Sequence, residues 1–143
     1  MTEQSGLNGA VAIVTGSAQN IGRAIALSLA AAGAGIVINA RTSKDAAQGV
    51  ADEINEAGGK AIVHMADVSN PDQVDGLINA SIENFGRLDI LVNNVALRMA
   101  APITETSYEE WRNVISNTLD SAFLCSRAAV PHLAVHGQGA IVN

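Results

Sequence analysis

A chain of 143 residues suits one domain, and its 48% apolar residues supply a sizeable core; with only 3% aromatic, that core must be Ala, Val, Ile and Leu, the usual filling of a sheet packed between helices. A formal charge of -6 and a pI near 4.8, with no cluster of Lys and Arg, exclude nucleic acid as a partner. The most apolar stretch, residues 24–38, is shorter than the ~20 residues of a membrane span and contains Ser28, Gly33 and Gly35, which excludes a membrane partner. The opening Met1 to Gly6 has neither a basic region nor a following apolar segment, and the single Cys125 cannot form an internal disulfide, so a cytoplasmic protein is expected.

In chain order, the pattern predicts a strand at 10–14, a helix at 21–32, a strand at 35–40, a helix at 43–57 and a strand at 61–66. A helix at 71–85, a strand at 89–92, a long helix at 107–135 and a strand at 140–142 follow. The strands are apolar on successive residues, as in a parallel sheet covered on both faces. Gly33, Gly58, Gly86 and Gly137 stand where left-handed C-caps belong, and Asn70-Pro71 suits an N-cap followed by a first-turn proline. Strict alternation with right-handed crossovers makes the fold class α/β, a Rossmann-type doubly wound parallel sheet. On the long helix, Trp111, Val114, Ile115, Leu119, Ala122 and Phe123 recur at helical spacing and read as one buried face, either core or oligomer contact.

After the first strand the chain runs Thr15-Gly16-Ser17-Ala18-Gln19-Asn20-Ile21-Gly22-Arg23 into a helix. A strand, a glycine turn and a helix N-terminus present backbone N–H groups and a positive dipole end to an anion, and a pyrophosphate fits there. Gly16 permits the tight turn, Ser17 offers a hydroxyl, and Gly22 allows close approach to the helix start. The second strand ends Asn39-Ala40-Arg41-Thr42-Ser43 without the acid that accepts hydrogen bonds from a ribose diol. Arg41 is instead a planar, permanent donor suited to a ribose 2′-phosphate, with Thr42 and Ser43 beside it.

These landmarks, with Asp67-Val68 after the third strand and Asn93-Asn94-Val95-Ala96 after the fourth, resemble the short-chain dehydrogenase/reductase family, whose single-domain members include the 3-oxoacyl carrier-protein reductases. The family pattern is Thr-Gly, three residues, then Gly-x-Gly; it is matched at Thr15, Gly16 and Gly22, with Asn20 for the middle glycine, a residue that tolerates positive φ. The resemblance implies strand order 3-2-1-4-5 and a dinucleotide, NADP(H) rather than NAD(H), across the carboxyl ends of the strands. Its contacts would be Gly16, Ser17, Gln19, Asn20, Ile21, Gly22, Arg41, Thr42, Asp67, Val68, Asn93 and Ala96. Asp67 would hold the adenine amino group or cap the next turn.

The resemblance also implies a catalytic serine, tyrosine and lysine after the fifth strand, and on this reading residues 1–143 are one dinucleotide-binding domain that stops short of them. Tyr108, followed four residues on by Arg112, is not that tyrosine. A further family Asn, seven residues after a Trp, falls on Thr118, with Asn117 adjacent. His64 reads as a packed or edge residue, Cys125 as core, and His132 with His136 lack a third ligand, so no metal is expected. Arg98 and Met99 are the nearest residues for contact with a small carbonyl or alcohol substrate. Two readings stand: a reductase, assembled as a homo-oligomer, or a non-catalytic dinucleotide-binding or interaction fragment.

Overall fold

The computed structural model describes residues 6–143; residues 1–5, most of the opening segment expected to lack a leader, lie outside the described residues. Five parallel strands form one sheet in the order β3-β2-β1-β4-β5: β1 (Val11–Val14), β2 (Gly35–Ala40), β3 (Lys60–Met65), β4 (Ile90–Val92) and β5 (Ala140–Val142). Val11 pairs with Gly35, Ala12 with Ile90, and Leu91 with Ile141. The predicted strand order holds, and observed strand ends differ from the predicted ones by at most one residue.

Strand residues alternate between two cores. Ala12, Val14, Ile36 and Ile38 face α1 (Asn20–Ala31) and α2 (Lys44–Glu56), which bring Ala26, Ala47, Val50 and Ile54. Ile13, Val37 and Leu91 face the other way, against Val74, Leu77 and Ile78 of α3 (Pro71–Phe85) and Cys125, Ala129 and Leu133 of α5 (Ser121–Leu133). Each fully buried aliphatic chain contributes about 1.5–3 kcal/mol, and burial on both faces is why the strands carry unbroken apolar runs. Helix ends follow local chemistry: Asn70 Oδ1 accepts the N–H of Asp72 at 3.0 Å ahead of Pro71, and Gly86 closes α3 at φ 78°.

The predicted helix 107–135 is interrupted. α4 (Tyr108–Ile115) starts on a capping box between Ser107 and Glu110, passes into a π turn at Ser116–Asp120, and continues as α5. Of the two expectations for the stripe, packing into this chain's core does not hold: Trp111, Leu119 and Phe123 are 50%, 62% and 59% exposed. The π turn changes the helical phase, and the face laid on the sheet and α3 is Ser121, Cys125, Ala129 and Leu133, at i, i+4 spacing. Burial pushes the Cys125 thiol up to about 12, as befits a core residue.

At the amino end of the sheet, Asp89 ties the segment before β4 to the start of β1. Its Oδ2 accepts the N–H of Val11 at 2.8 Å, and the Arg87 guanidinium grips both carboxylate oxygens at 2.7 Å. Arg87, then the Val11 N–H, hold the Asp89 carboxyl below the usual carboxylate range despite its burial. Because the folded value is depressed, the stabilisation is present above the unfolded value of about 3.9 and is lost as pH falls through the folded one. Asp89→Asn should therefore lower stability by about 1–3 kcal/mol at pH 7 in urea unfolding, and the gap to wild type should narrow below about pH 4. A gap independent of pH would contradict this assignment.

Candidate functional site

The carboxyl ends of β1, β2 and β4 open into a cleft at the point where strand order reverses, the place where open α/β sheets bind ligands. Its inner part, about 240 Å³, is lined by Gly16, Gln19, Asn39, Arg41, Thr42, Asp67, Val68, Val95, Ala96 and Asn117 among others. The outer part, about 630 Å³, shares Gly16, Gln19, Val95 and Ala96 and adds Asn20, Ile21, Gly22, Asn94 and Arg98. A hollow of about 520 Å³ at the opposite end of the sheet is walled by Gly9, Gly33, Gly35, Lys60 and Phe85. It gathers none of the sequence-predicted site residues, so the carboxyl-end cleft is the candidate site.

The turn from β1 to α1 is held from below by polar groups buried in the sheet. Thr15 is buried; its hydroxyl donates to the Val92 carbonyl at 3.3 Å and accepts the N–H groups of Asn94 (2.9 Å) and Val95 (3.1 Å). Asn94 Nδ2 returns bonds to the carbonyls of Thr15 and Gly16 at 2.9 and 3.2 Å. Asn39, also buried, accepts the Gly16 N–H on Oδ1 at 3.2 Å and donates through Nδ2 to the carbonyls of His64 and Ala66, both at 3.2 Å. Neither Thr15 nor Asn39 was singled out as a site residue from sequence. The available signal was a lone carboxamide inside an apolar strand, which is costly to bury without partners.

Gly22 marks the closest approach: a β-carbon there would collide with the Gly16 carbonyl oxygen and lie 2.6 Å from Asn94 Nδ2. Asn20, at φ 52°, is the one non-glycine residue with positive φ among the described residues, the conformation its position in the glycine pattern required. Gln19 precedes α1 without a side-chain cap, so the leading N–H groups of the helix are left to whatever occupies the outer cleft. Ser17 requires a correction. It is fully buried, and its Oγ accepts the Asn39 N–H at 2.9 Å, so it braces the turn from inside and offers no hydroxyl to the cleft.

On the far wall, Arg41 Nη1 stands 4.0 Å from Asp67 Oδ2. Asp67 Oδ1 accepts from Ser69 N (2.9 Å) and Ser69 Oγ (2.6 Å), so this carboxylate shapes its own turn while lining the cleft. The Ser69 hydroxyl, more than Arg41, holds the Asp67 carboxyl below its usual range. Asn93 turns away from the outer cleft, with Nδ2 bonded to Ser126 Oγ at 3.1 Å and Asn143 Oδ1 at 2.8 Å.

The π turn separates the two residues that sequence left as alternatives. Thr118 clasps the loop after β4, its hydroxyl accepting the Leu97 N–H at 3.1 Å and donating to the Leu97 carbonyl at 3.4 Å. Asn117 lines the inner cleft while its Nδ2 is bonded to Asn113. Arg98 lines the outer cleft, and Met99 is exposed on the same loop. Tyr108 is exposed at the start of α4, away from the cleft. His64 packs against Gly76 from β3, and no group of three potential metal ligands occurs among the described residues. No helix among them is long and apolar enough to cross a membrane.

A parallel 3-2-1-4-5 sheet with a glycine turn at its switch point defines a Rossmann-like α/β protein. A family model described as short chain dehydrogenase matches residues 10–143, and the chain belongs to that family. It is 43% identical to an uncharacterised oxidoreductase of Methylorubrum extorquens, over 97% of this chain and 55% of that protein. Identity is 39% to a 3-oxoacyl-(acyl-carrier-protein) reductase of Synechocystis, over 96% of this chain and 56% of that protein. The crystal structure of a short chain dehydrogenase from Mycobacterium avium matches with TM-score 0.88 at 40% identity, covering 96% of this chain and 52% of the other. The chain spans about half the length of the curated relatives it matches.

Because Asn39 satisfies three backbone groups on two segments, Asn39→Ala should cost about 2–4 kcal/mol in denaturant unfolding, far more than removal of an exposed amide. A loss under about 0.5 kcal/mol would show that the turn does not depend on this carboxamide.

Proposed function

We propose that the chain is the dinucleotide-binding half of an NADP(H)-dependent oxidoreductase that moves hydride between a nicotinamide and a small carbonyl or alcohol substrate. The observation that carries this reading is the pairing of an uncapped α1 N-terminus on one side of the cleft with Arg41 at the end of β2 on the other. The first suits a pyrophosphate, and the second suits a 2′-phosphate where NAD-preferring proteins place an acid. The reductase name of the Synechocystis relative supports carbonyl chemistry.

The residues fit such a group. The backbone of Gly16, Gln19, Asn20, Ile21 and Gly22 would hold the pyrophosphate, Arg41 and Thr42 the 2′-phosphate, Asp67 and Val68 the adenine side, and Ala96 would border the second ribose. The nicotinamide, when bound, supplies or accepts the hydride. This chain's own residues bind and orient: Thr15, Asn39 and Asn94 fix the turn, and Thr118 fixes the loop after β4. Tyr108 is exposed at the start of α4 and is not among the residues that line the cleft. The buried, unpaired Cys125 suits a reducing compartment such as the cytoplasm, and exposed Trp111, Leu119 and Phe123 suit contact with a further copy.

Fluorescence titration of the purified chain with NADPH and NADH should show tighter binding of NADPH. Arg41→Ala should weaken NADPH about tenfold or more while changing NADH little, since a charge-assisted bond to the 2′-phosphate is the contact removed. Equal losses for both would overturn the role of Arg41, and wild type that binds neither would overturn the whole reading.

A further inference from the structure

The inner cleft carries two charged side chains among the residues that line it, Arg41 and Asp67, and they cancel. A 2′-phosphate brings about -1.5 to -2 charges at neutral pH by analogy with other phosphate monoesters, so its reception depends on how far that cancellation goes. Asp67 cannot turn aside. Ser69 N and Oγ fix Oδ1 at 2.9 and 2.6 Å, Gln73 Oε1 accepts the Asp67 N–H at 2.7 Å, and Oδ2 is left 4.0 Å from Arg41 Nη1. Arg41 is 62% exposed on a flexible stem, so of the two it is the partner that moves. The Ser69 bonds also hold the Asp67 carboxyl below its usual range.

An exposed pair at this separation adds little to folding. Its effect falls on the ligand: the guanidinium that would meet a 2′-phosphate stands 4.0 Å from Asp67 Oδ2, so the phosphate would enter beside a fixed negative charge. Resting on the dinucleotide reading above, we infer that Asp67 is a specificity-determining counter-ion that acts through Arg41 and holds down the preference for the 2′-phosphorylated dinucleotide. The preference for the 2′-phosphorylated dinucleotide is therefore set by the pair rather than by Arg41 alone.

The test is a double-mutant cycle read as the ratio of NADPH to NADH affinity in wild type, Asp67→Asn, Arg41→Ala and the double variant, with melting curves to confirm folding. Any contact of Asp67 with the adenine is shared by the two dinucleotides and drops out of the ratio. Asp67→Asn should raise the ratio about three- to fivefold when Arg41 is present, and clearly less when Arg41 is replaced by Ala. An unchanged ratio, or an equal rise in both backgrounds, overturns the coupling while leaving dinucleotide binding intact. Wild type that binds neither dinucleotide overturns the parent reading and this inference together. If Asp67→Asn does not fold, Ser69→Ala, which removes the hydroxyl bond to Oδ1 and leaves the Ser69 N–H bond in place, should shift the same ratio; no shift there is also contrary.

Discussion

The carboxyl edge of the sheet depends on one buried carboxamide. Asn39 sits in the middle of an apolar layer, yet every polar atom on it is spoken for: Gly16 N–H on one side, the carbonyls of His64 and Ala66 on the other, and Ser17 on its backbone. Burying an amide is unfavourable by itself, and three partners turn that penalty into a constraint on where the glycine turn stands relative to β3. Thr15 and Asn94 repeat the arrangement between β1 and β4. Between these two networks the turn has no freedom left, and Gly22 can approach Gly16 to a distance that no side chain would permit.

A rigid floor lets weak surface features decide function. On a chain of net charge -6, the inner cleft is locally neutral, with one fixed anion and one movable cation, and Arg98 lines the outer part. Anion reception then comes from backbone N–H groups at α1, which cost no charge, and from how Arg41 is shared between Asp67 and a ligand. The π turn at Ser116–Asp120 contributes by another route, turning Thr118 onto the Leu97 backbone so that the loop carrying Arg98 is tied to the helix beside the cleft.

Much of this was legible in the amino-acid sequence, because strands buried on both faces must be continuously apolar and the glycine turn needs small residues at set positions. Asn20 was legible for the same reason: only glycine or asparagine suits a φ of 52° there. Core packing of the stripe on α4 and α5 fails because the helical period is not constant along it. One residue inserted by a π turn shifts the phase by roughly 100°, and Trp111 to Phe123 no longer share the face that meets the sheet. Ser17, Thr15 and Asn39 were illegible in detail because a short polar side chain in a motif looks alike whether it faces a ligand or the core; only the register of β1 against β2 decides it.

The central claim is that a dinucleotide lies on the carboxyl-end cleft, and amide chemical-shift mapping of the isotope-labelled chain with NADPH tests it most directly. The account predicts shifts concentrated at Gly16, Gln19, Asn20, Ile21, Gly22, Arg41 and Ala96, with the opposite hollow at Gly9, Gly33 and Lys60 unmoved. Shifts confined to that opposite hollow, or none at millimolar NADPH, would contradict it.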